Sequence, residues 1–373
     1  MGKKLLGRVG SLRSDERKVQ ATCVVLRRYI RENCKEGDAL ASVRQLAGEL
    51  EISFSVVCGA LRQLALAGIL EVNHGSRTRV TAAALRVRVG ILTPLNLTHP
   101  RTSGYHQMLM YHLVEEMDRL GVDVSFYCGF NKPWVFGHKR IPWNFVNDVH
   151  CGHLDGVIVF SDVGTVGLDV CESLSIPVVG IGSDYSAYAC FDVMDVTRVG
   201  VRSLLGAGCR RLAMISWDGG GCRTIFERAV RRRKLEIVPQ WVCAGFQTIR
   251  HPTLLGAGEE AFGKIWDALD KKPDGLLITD AAYMPEVVTA IQKRGICVPA
   301  ELKIAAHSHK TEASFPVTLL MNDPERQARE LTEVLLVKLG LRPQNLSTQR
   351  VLRCTVRENQ GGTGLLACAQ KMY

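Results

Sequence analysis

The residues able to do chemistry fall into two sets. The first is compact: Ser42, Arg44, Ser53, Phe54, Ser55, Cys58 and Arg62, then His74, Gly75, Arg77 and Arg79. Hydroxyls, guanidiniums and the free amides of helix starts hold phosphate oxygens, and guanidiniums also read guanine edges. The second set is spread through the body: Thr98, Asp162, Trp217, Asp280 and the run His307-Ser308-His309, with Thr93, Asn96, His99, Ser161 and Asp218 beside them. These positions follow segments read as strands, and open parallel sheets bind small ligands just past their strand ends. No Gly-x-Ser-x-Gly elbow and no phosphate-cradling loop ending in Gly-Lys-Ser/Thr occurs, so neither set reads as a nucleophilic or nucleotide-hydrolysing centre.

The first set needs short helices and a hairpin to position it. Ser42 can cap a helix with Val43, Leu46, Ala47 and Leu50 on one face. Ser53 can cap a second with Val57, Ala60, Leu61 and Leu64 inward, which leaves Phe54, Ser55, Cys58 and Arg62 outward. The break Glu51-Ile52-Ser53 has helix-turn-helix length, and such a pair lays its second helix in a DNA major groove. After Gly68, Leu70 and Val72 alternate towards Asn73-His74-Gly75-Ser76, and Thr78 and Val80 alternate away. That pattern predicts a two-stranded wing with Arg77 and Arg79 on its return strand. An earlier helix starting at Ser14 carries Val19, Cys23, Leu26 and Ile30 at helical spacing.

From Arg86 the texture changes to apolar strands alternating with helices, the pattern of a parallel sheet covered on both faces. Strands are expected at 87–92, 122–127, 156–160 and 178–181, with helices at 104–120 and 166–174. A second lobe is expected to place strands at 211–216, 235–242, 275–279 and 302–306 and helices at 195–205, 223–233, 259–269 and 285–294. A helix over 323–339 and a closing segment over 349–358 complete it. The predicted fold class is therefore α/β: a small winged helix-turn-helix domain (1–80), a linker (81–86), a two-lobed domain of doubly wound parallel sheets (87–358) with a ligand cleft, and a loose tail (359–373).

Composition agrees. Residues 1–80 hold 14 Lys+Arg against 8 Asp+Glu, within a chain whose net charge is +10. A positive excess concentrated in the head is what a DNA partner requires. No apolar run is long enough for a membrane span or a secretory signal, so a cytoplasmic protein is expected, and a transport-type binding protein is disfavoured. Thirteen cysteines are scattered without Cys-x-x-Cys pairs, which reads as reduced thiols rather than zinc ligands. His307 and His309 are read as structural rather than metal ligands, on the expectation that they face opposite sides of their strand. Trp134 and Trp143 flank a long loop, and either could stack on a sugar ring or pack.

Residues 36–80 resemble the winged helix-turn-helix of GntR-type transcription regulators. The match rests on Gly37-Asp38, Leu40, Ser42, Arg44, Leu46-Ala47, Ser53, Val57, Ala60-Leu61, Leu64, Gly68-Ile69 and His74-Gly75. The resemblance implies contact with double-stranded operator DNA by Arg44 and by the wing tip at His74-Gly75, with Arg77 and Arg79 beside it. Where that family usually has outward Arg, Thr and Arg, this chain has Phe54, Val56 and Cys58, so its operator is expected to differ.

The body resembles the effector domain of LacI-type repressors, relatives of periplasmic sugar-binding proteins. Leu154-Asp155-Gly156-Val157-Ile158, Ile176-Pro177-Val178-Val179, Gly208-Cys209-Arg210-Arg211-Leu212-Ala213, Pro273-Asp274-Gly275-Leu276 with Thr279-Asp280, and Gly295-Ile296-Cys297-Val298-Pro299 carry it. It implies a homodimeric, ligand-controlled regulator, more a repressor than an activator, with no cofactor and no enzymatic activity. Asp280 matches an acidic ligand-binding position of that family. Arg223 lies one place from the family's arginine, where Cys222 aligns, and Ser308 stands where an acidic residue is usual. The ligand could thus be a sugar, a modified sugar or another small metabolite. The alternative is a pyridoxal-phosphate-dependent, aminotransferase-like body behind the same head.

Overall fold

The computed structural model describes residues 15–72, 77–94, 104–128, 141–160, 168–218, 220–245, 248–251, 254–310 and 313–359. The chain divides into two compact units, one drawn from Met1–Leu97, Met110–Ala189 and Ala328–Arg350, the other from Thr98–Leu109, Cys190–Gln327 and Val351–Tyr373.

The first unit begins with three helices, α1 (Asp15–Asn33), α2 (Val43–Leu50) and α3 (Phe54–Leu66). Their apolar faces close one core: Cys23, Leu26 and Ile30 of α1 meet Leu46 and Leu50 of α2 and Val57, Ala60, Leu61 and Leu64 of α3. Both expected caps form, with the Ser42 hydroxyl accepting from the Gln45 amide and the Ser53 hydroxyl from the Val56 amide. Between α2 and α3 the chain turns at Glu51, whose φ of 53° lies in the left-handed region, while its amide donates to the Ala47 and Gly48 carbonyls.

The wing pairs β1 (Leu70–Glu71) antiparallel with β2 (Arg79–Val80), Leu70 opposite Val80 and Glu71 opposite Arg79. Pairing stops at Glu71, so Val72 is 53% exposed instead of sharing the inward face of Leu70. A third segment, unexpected from local pattern, covers the other side of β2: the Gly37 amide donates to the Val80 carbonyl, Val80 to Asp38, and Leu40 to Thr78. The stretch after β2 forms a short 3-10 turn, Ala82–Ala84, whose Ala84 is buried in the head's core.

One six-stranded sheet runs in the order β13-β7-β6-β5-β3-β4. Its members are β3 (Arg88–Thr93), β4 (Asp123–Cys128), β5 (Gly156–Val159), β6 (Val178–Gly180), β7 (Tyr188–Phe191) and β13 (Gln349–Leu352). The strand β3, one in from the edge, lies parallel to both neighbours, with Ile91 opposite Phe126 on one side and Ile158 on the other. Helices α4 (Gly104–Arg119), α5 (Trp143–His150) and α6 (Asp169–Ser173) connect these strands. The helix α5 was not anticipated. Phe145 and Val149, one turn apart, are fully buried, while Trp143 is 75% exposed.

The second sheet has the order β14-β12-β11-β10-β8-β9, built from β8 (Leu212–Ser216), β9 (Val242–Ala244), β10 (Gly275–Ile278), β11 (Lys303–Ser308), β12 (Val317–Met321) and β14 (Thr355–Asn359). All neighbours are parallel except β12 and β14, so the expected closing segment is two strands serving different sheets. The helices α7 (Val193–Gly206), α8 (Gly221–Arg232), α9 (Ala257–Trp266) and α10 (Met284–Lys293) belong to this lobe, and α11 (Pro324–Lys338) follows β12. In place of the strand expected over 235–242, Pro239, which lacks a ladder donor, starts a 3-10 turn, and the strand β9 begins only at Val242. The strands β7 and β12 were not anticipated. Among the described residues, eleven cysteines carry free thiols.

Two substitutions test this account of the head in opposite directions. Leu64→Ala empties a fully buried position and should cost about 2–5 kcal/mol. Glu51→Gly relieves a left-handed backbone and should stabilise by up to about 1 kcal/mol. Denaturant midpoints of the full chain measure both.

Candidate nucleic-acid interface and effector site

On α3 the inward residues are Val56, Val57, Ala60, Leu61 and Leu64. Phe54, Ser55, Cys58 and Arg62 occupy the remaining face, an arc of about 100° at 3.6 residues per turn. Phe54, Ser55 and Arg62 are exposed and Cys58 is half-buried. Val56 departs from its expected outward place: it is 1% exposed and joins the core side. The residues able to meet a groove are therefore Phe54, Ser55, Cys58 and Arg62.

Arg44 stands exposed on α2, and Arg77 and Arg79 are exposed at the wing. Arg79 has a second task, since its Nη1 donates to the Gly37 carbonyl at 2.8 Å and so ties the wing to the segment before α2. Ser42 and Ser53 cap their helices while staying exposed, and the Ser53 and Ser55 hydroxyls lie 3.0 Å apart. His74 and Gly75 lie outside the described residues.

In the second lobe, Trp217 follows β8 and Asp280 follows β10. They are linked through a residue not singled out in the sequence: the His251 ring meets the Trp217 ring edge-on, 4.6 Å between centroids, and interacts electrostatically with the Asp280 carboxylate. Asp280 caps the 3-10 turn Ala281–Tyr283, its Oδ1 accepting from the Ala282 amide at 3.0 Å. Burial raises its pKa, opposed by that hydrogen bond and by His251 and His309. Thr279 and Ser216 join β10 to β8 by a buried hydroxyl–hydroxyl bond of 2.7 Å, fixing the two strand ends relative to each other.

Histidines crowd the same strand ends. Burial lowers His106, His307 and His309 to about 4, and each of the pairs His106–His309 and His307–His309 further disfavours protonation. The expectation that His307 and His309 face apart fails. Residues two apart in a strand share a face, and β11 ends at Ser308, leaving His309 just beyond it. Tyr105 completes the group, its ring 6.4 Å from that of His309 and its hydroxyl donating to the Gln327 side chain. At neutral pH these imidazoles are neutral, so each ring offers one donor and one acceptor beside one carboxylate. Among the described residues no three His, Cys, Asp or Glu side chains are grouped to hold a metal ion.

Two expected ligand groups are engaged elsewhere. Arg223 Nε pairs with Glu227 at 2.9 Å along α8. The start of α8 is held instead by Asp218, which accepts from the Gly220 and Cys222 amides. The Ser308 hydroxyl is closed on its own turn, bonding both the carbonyl and the amide of Lys310. Thr98 and Asp162 lie outside the described residues, as does Trp134. No sequence motif marks His106, His251 or Tyr105, because they come from separate segments that only the fold assembles.

The histidine shifts carry a pH dependence of definite sign. Folded pKa values depressed below 6.5 add stability that is complete above that pH and is lost as pH falls towards about 4. Asp280, raised above its usual 3.8, works oppositely, adding stability below that value that is lost as pH rises through its folded pKa. Between pH 6.5 and about 4 the unfolding temperature should therefore fall, and His309→Gln should flatten that slope in thermal melts taken across the range.

With this geometry in view, residues 20–80 match the family described as bacterial regulatory proteins, gntR family, and residues 201–359 match a periplasmic binding protein-like domain. No curated protein sequence matches the chain. Among solved structures, a regulatory protein of the LacI family from Chloroflexus aggregans is 16% identical, with 74% of this chain and 98% of that one covered and a TM-score of 0.60. The transcriptional regulator CelR in complex with cellobiose is 14% identical over 86% of this chain and all of that one (TM-score 0.58). A LacI family transcriptional regulator from Lactobacillus casei with bound sucrose is 18% identical over 74% of this chain and 99% of that one (TM-score 0.56). The aminotransferase-like alternative finds no support, since the residues after the head match a binding-protein domain. The chain thus joins a gntR-type DNA-binding head to a body with the periplasmic-binding-protein-like fold seen in LacI-family regulators.

Proposed function

We propose that this protein is a ligand-responsive, sequence-specific transcription regulator that binds operator DNA as a homodimer in the cytoplasm and acts as a repressor. The observation that carries the reading is the outward arc of α3, which includes Arg62, with Arg44 exposed on the preceding helix of a capped helix-turn-helix, in one chain with a binding-protein-like body. Phosphate contacts come from Arg44, Arg62 and the wing arginines together with the Ser42 and Ser53 helix starts. Phe54 and Cys58 are the groups placed to touch base edges, Phe54 suiting a thymine methyl.

The ligand is a sugar or a close relative. Supporting this are the bound cellobiose and sucrose of two structural neighbours and the pairing of an aromatic ring with a carboxylate past strand ends. Because Arg223 is paired with Glu227, hydroxyl recognition on this lobe falls to Asp280 and to neutral imidazoles. Ligand control then requires unequal affinity for two arrangements of the body, for without that difference no equilibrium shifts.

Two experiments test the halves separately. Arg44→Ala combined with Arg62→Ala should weaken binding to duplex DNA and lower the slope of log affinity against log salt by about 1.8, roughly 0.9 per lost phosphate contact. Fluorescence anisotropy at several salt concentrations measures it, and an unchanged slope refutes the interface. A thermal-shift series with cellobiose, sucrose and their constituent monosaccharides should yield at least one stabilising sugar. Asp280→Ala should abolish that shift and leave DNA affinity unaltered.

A further inference from the structure

The head meets the first lobe within one unit, and the contact is concentrated on one carboxylate. Asp155 precedes β5 and is 6% exposed, while Arg27 of α1 is 2% exposed. Arg27 clasps it with two nitrogens, Nε to Oδ1 at 3.2 Å and Nη2 to Oδ2 at 3.1 Å. Arg31, one helical turn on, pairs with Oδ1 at 2.6 Å. The same carboxylate accepts from the Arg88 amide at the start of β3, while the Asp155 amide donates to the Arg88 carbonyl. Arg27 Nη2 also reaches the Arg86 carbonyl in the segment joining head and lobe. The Asp155–Arg27 pair thus ties α1, the connecting segment and the adjacent strands β3 and β5 together.

Beside this clamp the backbones come close. Gly152 has φ +68°, and a Cβ there would lie 3.1 Å from the Cys23 carbonyl carbon and Cβ. Val24 of α1 packs against the first-lobe core, but next to it a cavity of about 460 Å³ opens between head residues such as Leu50 and Glu49 and lobe residues such as Leu174 and Leu339. With the apolar seal incomplete, the ion pair and the glycine contact, with Val24 beside them, hold the head in place.

We propose that Asp155 is the docking anchor of the head: Arg27 and Arg31 close on it so that the recognition helix and the first lobe move as one body. The segment 81–86, expected to be a linker, is then a clamped strut. Reorientation of the lobe reaches DNA directly as reorientation of α3. This goes beyond the regulator reading, and its test needs no effector ligand.

The full chain is compared with Asp155→Asn, Arg27→Gln and the Arg27→Gln/Arg31→Gln pair, by ¹⁵N relaxation of amides in α2 and α3 and by trypsin cleavage after Arg86 or Arg88. In the unaltered protein those amides should tumble with the whole chain. In the variants they should tumble faster, as a small tethered domain, and cleavage should accelerate at least about tenfold. A merely local stabilising role in the lobe would not free the head's tumbling. Head tumbling and cleavage rates that stay within about twofold of the unaltered protein would overturn the proposal. Should Asp155→Asn fail to fold through loss of its Arg88 bond, the arginine variants, which keep that bond, decide the matter. Retained duplex-DNA binding by these variants shows that a freed head is still folded.

Discussion

A carboxylate that is almost wholly removed from water must be met by opposite charge and by donors, and Asp155 is met by both. Removing one partner of such a buried pair costs about 3–5 kcal/mol, although the intact pair is close to neutral against an apolar replacement. The pair therefore specifies geometry more than it adds stability. It places α1, and with it the core of the head, at the start of β3 and β5 in the first sheet. The last turn of the same lobe's α11 packs nearby, since a Cβ at Gly156 would meet Leu335 at 2.8 Å.

The head and the second lobe solve different electrostatic problems. Apart from Arg27 and Arg31, which are spent on Asp155, the head keeps Arg44, Arg62, Arg77 and Arg79 exposed, where they cost little and can attract phosphate, and fills its core mainly with aliphatic side chains. The second lobe gathers imidazoles and one carboxylate at strand ends, where burial drives the rings neutral and works against ionisation of Asp280. Neutral rings can both give and accept hydrogen bonds, which suits hydroxyl-rich partners. Withdrawal of Arg223 to Glu227 makes this arrangement distinct from a guanidinium-based fork.

Much of the fold was legible. The three head helices follow from apolar spacing of three and four, and both serine caps form at the expected positions. Most strands of the body appear within a residue or two of their expected ends, because buried parallel strands are short continuous apolar runs. The misses share a cause. The pairing of 37–40 with β2 and the two strands 349–352 and 355–359 depend on partners far away in sequence. The face of Val56 depends on what α3 packs against.

The site was legible in part. Trp217 and Asp280 stand at strand ends, a placement that follows from element order alone. Their link through His251, the crowding of His309 by His106 and Tyr105, and the diversion of Arg223 and Ser308 required side chains from separate segments to be placed together. The sequence by itself determined periodicities, caps and the order of strands, since these arise from neighbours within one helical turn or one strand. Only the tertiary structure decided which charges are paired, which rings stay neutral, and that Asp155 binds the head. Those outcomes depend on distance and desolvation between residues as far apart as Arg27 and Asp155, and no local pattern encodes them.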